Sequence, residues 1–261
     1  KLLGLDNQTL DLEVNPDRGY AWSLRGVARD TALAFGLDFV DPADIEPANT
    51  EQPAYPVRVE DPQACPVFTT VEVHGIDPHA KTPAWLASRI TDAGMRPISL
   101  TVDISNYVML ELGQPNHCYD RAKLNGSIVV RRASSGELLK TLDDVERKLT
   151  PDDLVIADDG GAIGLAGVMG GDRVEIDSTS TEVVIEAAHF DPVTVFRAQK
   201  RHRLPSEAAK RFERGVDPQL PLRAATRVAE LLVELAGGTV QPGATVVGEV
   251  APRGAVEFNV D

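Results

Sequence analysis

The chain has 261 residues, with 26 Lys and Arg against 40 Asp and Glu, which gives a formal charge of −14. At about 150 residues per domain this allows one large domain or two smaller ones, and 43% hydrophobic with 25% charged residues is ordinary globular composition. No run approaches the roughly 18 consecutive apolar residues that span a bilayer, so a membrane protein is excluded. Two cysteines, Cys65 and Cys118, stand too far apart for a CxxC pair, a disulfide framework or a cysteine zinc cluster, and fit a reducing cytoplasm. Lys1 opens the chain without Met or a signal-peptide core, so it reads as a piece of something longer.

In chain order, Leu10, Leu12 and Val14 alternate with acids as a strand, and a turn follows at Asn15–Gly19. From Ser23, a capping residue, apolar positions recur at helical spacing until Gly36. Asp41 to Pro66 holds six prolines and a surplus of acids, and reads as a linker that contains the domain boundary. Val67, Thr69, Val71 and Val73 alternate as a strand, and Thr82-Pro83 opens a helix closed by Gly94, with Leu86, Ile90 and Ala93 as its buried face. Leu100, Val102 and Ile104 read as a short strand, and Asn106 to Leu112 as about two helical turns. Residues 128–190 are strand-rich, with runs at 128–130, 138–142, 154–156 and 183–185. Leu222 to Leu235 forms an amphipathic helix that Gly237-Gly238 ends.

The acidic balance argues against a surface that binds phosphates throughout. Locally the sign reverses: between Arg197 and Arg214 seven basic residues face two acids, a net of +5. Such a run is either a solvated helix face or an anion-binding stripe. Phosphate-loop, HExxH and GxSxG motifs are missing from the sequence, which disfavours a standalone ATPase or zinc protease. The glycines of 160–171 provide turns or let a ligand approach the backbone. Glu186 and His189 have a spacing that suits metal on a helix, but Val183–Ile185 reads as a strand, so no metal site is expected. His117 follows a Gly-Gln-Pro turn, a loop position from which imidazole can reach a ligand, and Ser206 reads as the N-cap of a helix that Gly215 ends.

Several of these segments together resemble the β subunit of bacterial phenylalanine–tRNA ligase. The matching strings are Asn15–Gly19 with Ser23–Arg29, Val102–Val108 with Glu111–His117, Leu154–Asp158, Ala166–Gly171, and Ser206–Ala208 with Arg211–Pro218. They run in the family's order over nearly the whole chain. The resemblance implies an α+β (mixed α/β) fold, a central editing domain of mostly antiparallel sheets with flanking helices over 67–250. It assigns 1–60 to part of an amino-terminal domain plus the Pro/acid-rich linker, and 253–261 to the start of a truncated next domain.

It also implies a function, hydrolysis of the ester of mischarged Tyr-tRNA(Phe). An apolar pocket built for phenylalanine rejects an isostere with one added hydroxyl by only about a hundredfold, so a second site must recognise that hydroxyl. By motif position, Glu186 is implied as the phenol acceptor, with His117 and Arg96 near the scissile ester. Ser105 and Asn106 are implied as polar pocket residues, Gly170 as a wall close to the substrate ring, and Ser206 and Ala208 at the mouth or floor. Lys200, Arg201, Arg203 and Lys210 are implied to contact tRNA, and a positioned water is expected to attack the ester. No cofactor is expected in this fragment; ATP and Mg2+ belong to the α subunit of an implied α2β2 heterotetramer in the cytoplasm. Cys118-Tyr119 departs from the family's more usual Ala-Phe and bears on pocket size and selectivity. The alternative reading is a noncatalytic module that scaffolds the subunit and docks tRNA.

Overall fold

A computed structural model describes residues 8–249 together with 254, 255, 257 and 258. Five of the nine residues of the stretch 253–261, expected to open a further domain, lie outside the described residues. Residues 8–14 form no strand: Leu10 is 83% exposed and, among the described residues, no second strand lies beside it to use its backbone groups. Ser23 caps α1 (Leu24–Phe35) by accepting from the Gly26 amide, as its position predicts. Within the proline-rich stretch, β1 (Val57–Val59) pairs in parallel with Ile128–Val130, so the end of the expected linker is woven into the central fold.

β2 (Val67–His74) is followed by α2 (Ala84–Asp92), which buries Leu86 and Ile90 but leaves Ala93 exposed. The expected strand at 100–104 is instead the first half of α3 (Leu100–Leu112). Leu100, Ile104, Tyr107, Val108 and Leu112 are buried at helical spacing, and Val102 and Met109 extend apolar character around the cylinder, which is why its first residues mimic a period of two. Asp103 anchors the first turn, accepting from the Ile98 amide at 2.8 Å and from Thr82 Oγ1 at 2.5 Å.

The remaining elements are β3 (Asn116–Asp120), β4 (Ile128–Arg132), β5 (Leu138–Lys140), β6 (Glu146–Lys148), β7 (Leu154–Asp158), β8 (Gly161–Leu165), β9 (Met169–Gly170) and β10 (Glu182–His189). α4 (Pro192–His202), α5 (Glu207–Phe212), α6 (Pro221–Ala236), β11 (Thr239–Val240) and β12 (Thr245–Val247) complete the order. α6 ends at Gly237 as expected. His117 lies on β3 rather than in a loop, because β3 begins one residue after Pro115.

The central sheet runs β11-β2-β10-β3, antiparallel throughout, with β12 also pairing to β2. The second sheet runs β1-β4-β7-β8-β9, parallel only at its first pair, and β5-β6 is a separate hairpin. The mixed α+β class with mostly antiparallel pairing is thus as expected. Side chains alternate across β2 and β10, and each face has its own core. Val71, Val73, Cys118, Val183 and Ile185 pack against α2, α3 and α6. Phe68, Tyr119, Val184 and Ala188 pack against β4, β7, β8, α4 and α5. Helices, central sheet and second sheet therefore stack as three layers, and both faces of β10 are buried.

Candidate functional site

Register places the key polar residues together. Glu186 pairs across the strands with His117, and Tyr119, two residues on, shares that face and sits diagonal to Glu186. The face is the one turned toward the second sheet, so the carboxylate points into the space between the two sheets. A cavity of about 90 Å³ opens there, lined by His117, Tyr119 and Glu186 on one side and by Leu165, Val168, Gly170, Ala208 and Phe212 on the other. A larger hollow of about 310 Å³ adjoins it and shares Asn116, His117, Val168, Met169, Gly170 and Ala208 with it. Ser105, Asn106, Ser206 and Glu207 line this outer part.

Two glycines make room for the inner cavity. A Cβ on Gly170 would stand 2.7 Å from the imidazole Cε1 and Nε2 of His117, so the ring lies where a side chain would otherwise be. Gly167 has φ +70°, and a Cβ there would meet Val195 at 2.8 Å and Phe190 and Phe212 at 3.1 Å; only glycine allows the β8–β9 turn to rest on that aromatic pair. Ser206 ties the outer wall together: its Oγ accepts from the Ala209 amide as N-cap of α5 and donates to the Val168 carbonyl at 2.7 Å. Ser105 Oγ donates to the Asn116 carbonyl, and Asn116 Nδ2 donates back to the Ser105 carbonyl, each at 3.1 Å, fixing the start of β3 against α3.

The site is apolar enough to perturb its ionisable groups. Burial pushes Glu186 up to about 7, opposed by the hydrogen bond that Tyr119 Oη donates to its Oε2. Burial also pushes His117 down to about 4, so the imidazole is neutral at physiological pH. Its Nε2 is sealed from solvent with no protein partner, as is Asn116 Oδ1, and buried polar atoms left so are unusual. Cys118 lies on the opposite face of β3, its thiol pushed up to about 12 by burial and the charge of Glu186, and Cys65 is likewise raised by burial. Neither thiol is poised as a nucleophile. Among the described residues no group of three or more His, Cys, Asp or Glu could hold a metal ion, and no helix is long and apolar enough to cross a membrane.

Of the residues singled out from the sequence, the structure brings Glu186, His117, Gly170 and Ala208 to the inner cavity, and Ser105, Asn106 and Ser206 to the outer one. Arg96 is exposed on the loop before α3 and lines neither, although its neighbour Met95 borders the outer hollow. Tyr119 is the residue that sequence reasoning missed as the partner of Glu186. The His117-x-Tyr119 alternation was the available signal, since residues two apart on a strand share a face.

The basic stripe divides in the same way. Lys200 and Arg203 are exposed at the end of α4, without a carboxylate partner among the described residues. Arg201 is bound to the buried Asp153, whose other oxygen lies 3.0 Å from His202 Nε2, and Lys210 pairs with Glu207 at 2.6 Å.

Residues 64–237 match the model of the B3/4 domain family. The phenylalanine--tRNA ligase beta subunit of Streptomyces avermitilis is 56% identical over 250 residues, covering 95% of this chain and 30% of that protein. Its counterpart from Thermobifida fusca is 52% identical over 252 residues, covering 97% and 30%. A crystal structure of an N-terminal fragment of the phenylalanyl-tRNA synthetase beta-subunit from Pyrococcus horikoshii is a more distant likeness, with TM-score 0.48 and 14% identity over 92% of this chain and 66% of that one. The chain spans about 30% of the length of the curated relatives it matches. It belongs to the B3/4 domain family, in the form carried by phenylalanine--tRNA ligase beta subunits.

Proposed function

We propose that this region hydrolyses the ester of tyrosine mischarged onto tRNA(Phe), and that the cavity between the two sheets is the editing site. The observation that carries this reading is the buried Glu186 carboxylate at the wall of a mostly apolar cavity. A charged acceptor with one protein donor favours a ligand ring bearing a hydroxyl, because a phenylalanine ring would desolvate it and return nothing. The inner cavity takes the aromatic side chain. The outer hollow takes the terminal adenosine, which sets the ester beside His117.

The chain's residues suit attack by water rather than covalent catalysis. Neutral His117, at the wall shared by the two hollows, orients the water or donates to the ester carbonyl; at a pKa of about 4 it is too weak a base to carry the proton alone. Lys200 and Arg203 lead the tRNA backbone across the end of α4, with Arg201 and Lys210 contributing through charges already partnered. The β subunit is proposed to act with the α subunit in an α2β2 assembly in the cytoplasm, the α subunit performing the ATP- and Mg2+-dependent charging. The scaffold-only reading leaves the buried carboxylate without a purpose.

The test is release of amino acid from preformed Tyr-tRNA(Phe) and Phe-tRNA(Phe) by the ligase complex. Tyrosine should be released faster, and Gly170→Ala, which drives a methyl group into the His117 ring, should slow that release about 100-fold with the fold retained by circular dichroism. Equal release of both esters, or full activity in Gly170→Ala, would contradict the proposal.

For the tRNA path, Lys200→Ala with Arg203→Ala should reduce the slope of log affinity against log salt by about 2, roughly one for each phosphate no longer neutralised. Filter binding between 50 and 200 mM salt measures it. An unchanged slope would return α4 to the status of a solvated face.

A further inference from the structure

Among the described residues Tyr119 is the one protein donor to Glu186: it holds Oε2, while Oε1 receives no protein hydrogen bond and is not among the sealed, unpartnered atoms. Tyr119 is itself 1% exposed, its ring meets His117 edge-on with centroids 4.7 Å apart, and its hydroxyl has no other acceptor. A ring wedged in the core this way cannot step aside for a ligand without leaving both its packing and its only hydrogen bond. A bound phenol must therefore use the second oxygen.

We propose that Tyr119 is a positioning residue for substrate selection: by donating its phenolic hydrogen to Glu186 Oε2 it fixes the carboxylate and leaves Oε1 turned to the cavity as the acceptor for the ligand's hydroxyl. The inference rests on the reading of Glu186 as that acceptor and adds what orients it and keeps it charged. A hydrogen bond to the ionised form favours that form, in opposition to burial. The titratable groups around the carboxylate are His117 and Tyr119 from β3, Cys118 from the far face of the same strand and Cys65 ahead of β2; β7, β8, β9 and α5 present only uncharged residues to the cavity. None of these is a cation at neutral pH, so Tyr119 alone offsets the burial.

Two measurements on Tyr119→Phe, which removes one oxygen and keeps the ring, decide the matter. In this chain labelled with 13C at glutamate carboxyls, the Glu186 signal, identified by its loss in Glu186→Gln, should titrate about one pH unit or more higher in Tyr119→Phe than in the parent. In the ligase complex at pH 7, Tyr119→Phe should release tyrosine about tenfold more slowly and recover toward the parent at higher pH, a larger loss than that of phenylalanine release. An unmoved or lowered midpoint, or faster tyrosine release than the parent, would overturn the inference and mark Tyr119 as a competitor for the carboxylate. A raised midpoint with no tyrosine preference in the parent complex would uphold the Tyr119–Glu186 hydrogen bond and refute the hydrolysis reading instead.

Discussion

Glu186→Ala is expected to lower kcat/KM for tyrosine release from Tyr-tRNA(Phe) by about 10- to 100-fold while leaving phenylalanine release unchanged or slightly raised. The size follows from a hydrogen bond to a charged acceptor, about 1.5–3 kcal/mol net in a buried site. The asymmetry follows from desolvation: phenylalanine gains nothing from the carboxylate and is spared its dehydration when Ala replaces it. Glu186→Gln separates charge from acceptor capacity, because the amide still receives a hydrogen bond from Tyr119; it should fall between the parent and Ala. Since Glu186 titrates near 7, the tyrosine preference of the parent should rise from pH 6 to 8 and that of Glu186→Gln should not. Parallel losses for both esters would mean that Glu186 supports the fold or the ester end rather than the hydroxyl.

The second large effect is on stability, and its sign differs for the two facing residues. Glu186 titrates near 7 in the fold against 4.5 as an ordinary glutamate, so its contribution is complete below 4.5 and is lost as pH rises through 7. His117 titrates near 4 against an ordinary 6.5, so its contribution is complete above 6.5 and is lost as pH falls through 4. Each separation corresponds to roughly 3 kcal/mol, and between 4.5 and 6.5 the two slopes oppose one another in a site where both groups are mostly neutral. Relative to the parent, Glu186→Gln should therefore gain about 3 kcal/mol as pH rises from 5 to 8, and His117→Gln a similar amount as pH falls from 7 to 4. Urea denaturation across this range measures both, and a difference that does not vary with pH would show that neither group is desolvated in the fold.

The sequence showed most of the scaffold where one face was clearly apolar. Ser23 with Gly36, the alternation from Val67 to Val73 and the stripe from Leu222 to Leu235 all predicted the elements found. It misled where periodicity was ambiguous or had no partner. α3 is buried on so much of its circumference that Leu100, Val102 and Ile104 look like a strand, and Leu10–Val14 alternates without a neighbouring strand to pair with. The cavity residues Glu186, His117, Gly170 and Ala208 were reached through motif resemblance, which transfers positions but not contacts. The pairing of Glu186 with Tyr119 depends on the register between β10 and β3, strands separated by more than 60 residues, and no local pattern encodes it. Ion pairs are equally non-local: Arg201 counts toward the basic stripe in the sequence, and only the fold sets Asp153 against it.

The most direct test is a crystal structure of this chain with a non-hydrolysable tyrosyl-adenosine amide, in which nitrogen replaces the ester oxygen. The ring should enter the cavity between the sheets with its phenolic oxygen within about 3 Å of Glu186 Oε1, its carbonyl beside His117, and Tyr119 still bound to Oε2. A ring seated elsewhere, or one in the cavity with its hydroxyl turned away from Glu186, would contradict the assignment of this carboxylate as the group that recognises tyrosine.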